Sequence, residues 1–85
     1  MNESLLNEVH QITADVLRKD ANAVPVSATR DLVPGWDSLA HVNIVIALEQ
    51  RFDLQFLPEE MVEMLSVELI AMLLDEKLAA RRQSV

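Results

Sequence analysis

Three stretches of this 85-residue chain repeat apolar residues at the three-to-four-residue spacing of an α-helix. They are residues 3 to about 19, Ser38 to Arg51 or Phe52, and Ser66 or Val67 to about Ala80. A short helix is expected from Pro58, because proline at the first helical position followed by two acidic residues is a typical helix start. The pattern predicts an all-α fold, a four-helix bundle of three long helices and one short one.

The second stretch also contains a strand-like run of β-branched residues, Ile44-Val45-Ile46. Its length favours a helix, since the apolar pattern continues for about fourteen residues without a turn signal, which is long for a strand. We therefore expect helices to supply an aliphatic core. The expected core residues are Val9, Ile12, Val42, Val45, Ile46, Leu48, Leu69 and Leu73, with Ile70, Leu74 and Leu78 beside them in the last helix.

Between the first two helices lies a segment without periodicity, DANAVPVSATRDLVPGWD at 20–37, which holds two prolines and the only glycine of the chain. A connection of this length is uncommon in a small domain unless it is functional or disordered. Val24, Val26, Leu32 and Trp36 argue against disorder, because apolar residues in a loop normally anchor it to a core. We expect an ordered loop.

Charge and composition exclude several classes of partner. Fourteen acidic and seven basic residues give a net charge of −7, which argues against nucleic acids and anionic membrane surfaces. Seven acidic residues and no basic one lie between Phe52 and Glu76, either as a solvated face or as a docking surface for basic partners. Residues 1–85 are too few for more than one domain.

The location of the protein is also constrained. No signal peptide is visible at the N-terminus, and the most apolar segment, MLSVELIAMLL at 64–74, is too short to span a bilayer. The chain has no cysteine, which fits a reducing compartment. We therefore expect a soluble, cytoplasmic monomer without membrane insertion.

The segment PGWDSLAHV, at residues 34–42, places Ser38 at the start of the second helix. A nucleophilic role is disfavoured, because G-x-S-x-G is absent, no strand precedes the serine, and His41 lacks an evident orienting carboxylate. We therefore do not expect an enzyme. The two histidines, His10 and His41, have no metal-ligand spacing, so no metal site is expected and both should face solvent.

Helix capping explains part of this segment. Asp37 and Ser38 are both favoured N-cap residues, and one of them should cap the second helix. Capping alone does not account for the proline, glycine and tryptophan that precede them. The hypothesis that remains is a site of covalent modification.

The sequence G-W-D-S-L at 35–39, followed by AHVNIVIALEQRF at 40–52, resembles the phosphopantetheine attachment motif of acyl carrier proteins. The resemblance extends to the long first loop, the short third helix, the acidic balance and the chain length. It covers roughly residues 3 to 80. A lone D-S-L is weak evidence, whereas D-S-L opening a helix after a long loop in a small acidic helical chain is specific.

The resemblance implies that Ser38 is joined through a phosphodiester to 4'-phosphopantetheine from coenzyme A, whose thiol carries acyl groups as thioesters. A helix N-terminus suits such an anion. The implied partners are a phosphopantetheinyl transferase and acyl-loading, acyl-transfer or ketosynthase enzymes. The residues implied in recognition are Asp37, Leu39, His41, Ile44 and Glu49. In this family the core can open between helices two and three to shelter an acyl chain.

The chain departs from fatty-acid-synthesis carriers just after the serine, where those carriers present acids. Here the expected exposed residues are Ala40, His41 and Asn43, and acids return only at Glu49. This difference favours a dedicated polyketide, specialised-lipid or other secondary pathway. Acyl cargo is favoured over aminoacyl or peptidyl cargo, since peptidyl carriers commonly show G-G-x-S. The alternative of another class is a helical interaction module without a prosthetic group.

Overall fold

The computed structural model describes residues 3–83; the first two and last two residues of the expected single domain lie outside this range. The helices are α1 (Glu3–Leu17), α2 (Ser38–Phe52), α3 (Pro58–Glu63) and α4 (Val67–Gln83), with 3-10 turns at Ala21–Ala23 and Arg30–Leu32. Within residues 3–83 there is no strand, so the prediction of an all-α chain with three long helices and one short helix is confirmed.

The ends of the helices follow local signals in the sequence. Pro58 is the first residue of α3, and the Leu57 amide donates to Glu60 Oε1 at 2.7 Å. Before α4, Ser66 Oγ accepts a hydrogen bond from the Leu69 amide at 3.2 Å. α1 ends at Leu17, because Arg18 adopts a left-handed conformation with φ 58°. α4 continues past the expected Ala80 to Gln83.

The core is centred on α1, which packs against both α2 and α4. Residues of the first loop and of the segments around the short helix complete the core. Two helices present a different face from the one expected. In α2 the buried residues are His41, Ile44, Val45 and Leu48, whereas Val42 and Ile46 are 50% and 44% exposed. In α4 the buried residues are Val67, Ile70, Ala71 and Leu74, whereas Leu69 is exposed.

The expected placement of Val42, Ile46 and Leu69 in the core is therefore wrong. The buried positions of both helices follow the same i, i+3, i+4, i+7 spacing, shifted from the expected set. In α2 the shift arises because His41 is buried, although a histidine was expected to face solvent.

The 20–37 segment is an ordered loop tied to the start of α4 by two backbone hydrogen bonds. The Arg30 amide donates to Leu65 O at 2.7 Å, and the Glu68 amide donates to Val26 O at 2.9 Å. Val24, Val33 and Trp36 are buried beneath the loop. Leu32, which was expected to anchor it, is instead exposed, because the backbone hydrogen bonds and the other apolar residues already fix the segment.

Candidate functional site

Ser38 is the first residue of α2 and is exposed. Asp37 is the N-cap: its Oδ1 accepts a hydrogen bond from the Ala40 amide at 2.8 Å, and its carbonyl accepts one from the His41 amide at 2.9 Å. The serine is therefore not needed as a cap. Its side chain forms no hydrogen bond with any of residues 3–81.

A tight turn at residues 33–36 precedes Ser38. The Trp36 amide donates to Val33 O at 3.1 Å, with Pro34 and Gly35 between them. Gly35 has φ +88°, the conformation that the third position of a type II turn requires, and proline favours the second position. The proline and glycine thus have a local structural role.

The tryptophan of the same segment is held in a chain of buried hydrogen bonds. Trp36 Nε1–H donates to His41 Nδ1 at 3.0 Å, and the two rings stack with their centroids 6.1 Å apart. Because Nδ1 accepts, the neutral imidazole carries its proton on Nε2 and donates it to Met61 O at 3.0 Å. This chain joins the turn before Ser38 to α2, and α2 to α3.

His41 is suited to this arrangement only when it is neutral. Burial lowers the pKa of His41 below its usual range, and the positive charge of Arg30 lowers it further, while the hydrogen bond to Met61 O acts in the opposite direction. A protonated imidazole would have no lone pair on Nδ1 to accept from Trp36. Both ring nitrogens are occupied, so His41 has none free to act as a base toward Ser38.

The residues expected to contact partners do not all share one surface. Leu39, at 71% exposed, and Asp37 are at the surface, as expected. The expected exposure of His41 and Ile44 is wrong: they are 7% and 0% exposed because they lie on the core face of α2. Glu49 Oε2 accepts from the Phe56 amide at 2.9 Å, so this carboxylate holds the α2–α3 connection.

Two hollows flank Ser38, and sequence reasoning found neither of them. The proximal hollow, about 190 Å³, is lined by Arg30, Asp31, Trp36, Asp37 and Ser38. The apolar hollow, about 330 Å³, is lined by Arg30, Ser38, His41, Val42, Pro58, Met61 and Val62. Arg30 lies in both, and its place beside Ser38 depends on the folding of the loop, for which the sequence carries no periodic signal.

Other kinds of site receive no support from the part of the chain that the structure describes. Among residues 3–83, no group of three or more His, Asp or Glu side chains is arranged to hold a metal ion. None of the described helices is long and apolar enough to cross a membrane. No family model matches the chain.

Proposed function

We propose that the protein is an acyl carrier protein in which Ser38 bears a 4'-phosphopantetheine arm. The observation that carries the proposal is an exposed serine hydroxyl without a described partner, fixed at the first residue of α2 by a rigid turn. Asp37 performs the capping that would otherwise occupy the serine. The resemblance of G-W-D-S-L to the attachment motif of carrier proteins supplies the chemical identity of the group.

The residues at this position fit a phosphodiester. The Ala40 amide is used by Asp37, which leaves the amides of Ser38 and Leu39 without a partner among the described residues at the positive end of the α2 dipole. In loading, Ser38 Oγ attacks the coenzyme A phosphorus nearest pantetheine, and its proton passes to a base of the transferase. The new O–P bond replaces the bond to adenosine 3',5'-bisphosphate, which leaves. The attached arm supplies a terminal thiol for thioester formation.

The first test is loading at Ser38. Incubation of the protein with coenzyme A, magnesium and a broad-specificity phosphopantetheinyl transferase should add the mass of one phosphopantetheinyl group. Ser38→Ala should abolish the addition without loss of helicity. Ser27→Ala is the matched control, because Ser27 is also exposed but lies in a turn of the first loop and does not begin a helix. Loading that persists in Ser38→Ala, or that fails with every transferase, contradicts the proposal.

The surface of α2 beyond the serine supports service in a dedicated pathway with acyl cargo. Leu39, Val42 and Ile46 are all exposed, as is Val62 on α3. The first acid of α2, Glu49, is engaged by the Phe56 amide. Partners that dock on α2 would use apolar contact, whereas partners whose basic patches face this helix would find few counter-charges on it.

The pathway test restores the missing charges. We expect the holo-protein to be a poor substrate for housekeeping fatty-acid ketosynthases, and Ala40→Asp with Asn43→Glu to improve its elongation rate several-fold. Each exposed pair contributes only about 0.2–1 kcal/mol, so both changes are needed for a clear effect. The rates are measured at low and high salt. A rate for the unchanged protein equal to that of a housekeeping carrier would exclude the dedicated pathway and leave the carrier function intact.

The same exposed apolar residues favour a second candidate function, an interaction module without a prosthetic group. Leu39, Val42 and Val62 would then bind a partner directly. Loading of Ser38 separates the two functions. If the protein is an interaction module, the wild type and Ser38→Ala should bind the partner with the same affinity. The transferase should then leave the wild type unmodified.

A further inference from the structure

Arg30 is held firmly at its backbone beside the serine. Its amide donates to Leu65 O at 2.7 Å, and its carbonyl accepts from the Val33 amide at 3.2 Å. The residue is half-buried and lines both hollows that flank Ser38. The hydrogen bonds fix the backbone of a cationic residue that shares both hollows with Ser38.

The charge of Arg30 is not used by the fold. Its guanidinium forms no ion pair and no hydrogen bond with any residue from Glu3 to Arg81. In the same range, Arg51, Lys77 and Arg81 contact carboxylates or carbonyls, whereas Arg18 and Lys19 resemble Arg30 in forming no such contact. An arginine without a partner that lines both hollows beside Ser38 is placed to receive an anion, because its planar donor groups match the oxygens of phosphate and carboxylate.

The two hollows differ in the charges that such an anion would meet. The proximal hollow contains the carboxylates of Asp31 and Asp37, which repel an anion. The apolar hollow contains no carboxylate, and since His41 is neutral in its hydrogen-bonded form, Arg30 is its one formal charge among the lining residues. An anion bonded to Ser38 is therefore drawn toward the apolar hollow.

We propose that Arg30 is a positioning residue that pairs with the phosphodiester on Ser38 and directs the start of the arm over the apolar hollow. This inference rests on the proposed function, since it requires a phosphodiester at Ser38. It goes further by assigning the counter-charge, and by assigning the side of α2 from which the arm leaves. Without Arg30, the charged side chains that line the two hollows would be only the carboxylates of Asp31 and Asp37.

The test compares apo- and holo-protein for three variants. Loading should raise the thermal midpoint of the wild type by at least about 2 °C more than that of Arg30→Gln, because only the wild type gains the pair. Arg30→Lys keeps the charge and should recover part of the difference. Arg51→Gln is the matched control: it removes one positive charge 13 residues along α2 from Ser38, about 20 Å away, and should respond to loading as the wild type does.

A second measurement needs no substitution. In proton–nitrogen correlation spectra of the wild type, the Arg30 Nε–H resonance should move on loading, and the movement should shrink at high salt. An unmoved resonance, together with equal midpoint changes in the wild type and Arg30→Gln, would overturn the role of Arg30 while leaving the carrier function standing. Failure of the transferase to load Ser38 at all would overturn both proposals.

Discussion

At the start of α2, buried uncharged groups hold the helix to its neighbours, whereas exposed charged side chains do so at its end and a half-buried ion pair joins α3 to α4. The neutral network consists of Trp36, His41 and the Met61 carbonyl. The charged belt consists of Glu8, Arg51, Glu60, Lys77 and Arg81. In this belt Arg51 pairs with Glu8, Lys77 pairs with Glu60 at 2.8 Å, and Arg81 donates to Phe52 O and Asp53 O.

The difference follows from what each region has to do. The neutral network positions the turn before Ser38 without an ion pair to Arg30, whose charge is the one that the proposed phosphodiester would use. The charged belt holds helices together in a region that, among the described residues, presents no exposed and unpartnered nucleophile. Buried hydrogen bonds are costly to break and are little affected by salt, whereas exposed ion pairs contribute modestly and are screened. The two regions should therefore fail under different conditions.

The largest expected effect is the loss of Trp36. Trp36→Ala removes a buried aromatic ring and should lower the free energy of unfolding by about 3–5 kcal/mol, a large part of the roughly 5–15 kcal/mol of a small domain. Trp36→Phe keeps most of the ring but leaves His41 Nδ1 without its donor, which should cost about 1–3 kcal/mol. Urea unfolding measures both. A phenylalanine variant as stable as the wild type would mean that the hydrogen bond contributes nothing.

Acid should weaken the two regions in separate pH windows. The lowered pKa of His41 favours its neutral form in the folded state, so its contribution is present above the unfolded pKa and declines as pH falls below about 6.5. The pKa of Glu60 is lowered by its hydrogen bond to the Leu57 amide and by Lys77, so its contribution declines only below its ordinary value of about 4.5.

The contribution of His41 is measured from the thermal midpoint of unfolding between pH 7 and pH 5. We expect the wild type to lose stability over this interval, and His41→Gln, which does not titrate, to show a flatter profile. His10→Gln is the control, because His10 makes a single hydrogen bond to Val24 O outside the neutral network. A profile flattened by the His10 change and not by the His41 change would place the acid sensitivity in α1.

The neutral network also shows which features of the fold could be predicted from the sequence alone. Helix starts were predictable because their signals are local: Asp37, Pro58 and Ser66 each act within about one turn. The face of α2 was not, because the burial of His41 depends on the carbonyl of Met61, twenty residues away. Periodicity ranks a histidine as polar and carries no information about such a partner.

The same limit applies to the candidate site. The position of Ser38 at the helix start could be predicted from the residues around it, and so could the exposure of Leu39. The role of Arg30 could not, because its backbone is fixed by Leu65, which belongs to the connection before α4. A cation that reaches a site through tertiary contacts has no signature in residue spacing.

Salt should also distinguish the two regions, but through a smaller change in the free energy of unfolding. Arg51→Gln removes an exposed ion pair with Glu8 and should cost about 0.2–1 kcal/mol at low salt. That cost should diminish in high salt, whereas the cost of Trp36→Phe should stay constant. Urea unfolding at two NaCl concentrations gives the comparison. A Trp36→Phe cost that falls with salt as steeply as the Arg51→Gln cost would show that the first region is also held by charge.

The smallest effect concerns Asp53, which ends α2 in the charged belt. Its φ of 52° and ψ of 56° are left-handed, a conformation that glycine adopts without strain, and its carboxylate lies at the negative end of the α2 dipole. Asp53→Gly should therefore raise the free energy of unfolding by about 0.5 kcal/mol, after the greater chain entropy of unfolded glycine is subtracted. The Arg81 contact with the Asp53 carbonyl involves only the backbone of Asp53 and should survive.

Asp53→Asn separates the two causes, because it removes the charge while keeping a side chain at the left-handed position. If Asn and Gly stabilise equally, charge alone explains the gain; if neither stabilises, the carboxylate at the end of α2 is balanced by the surrounding belt.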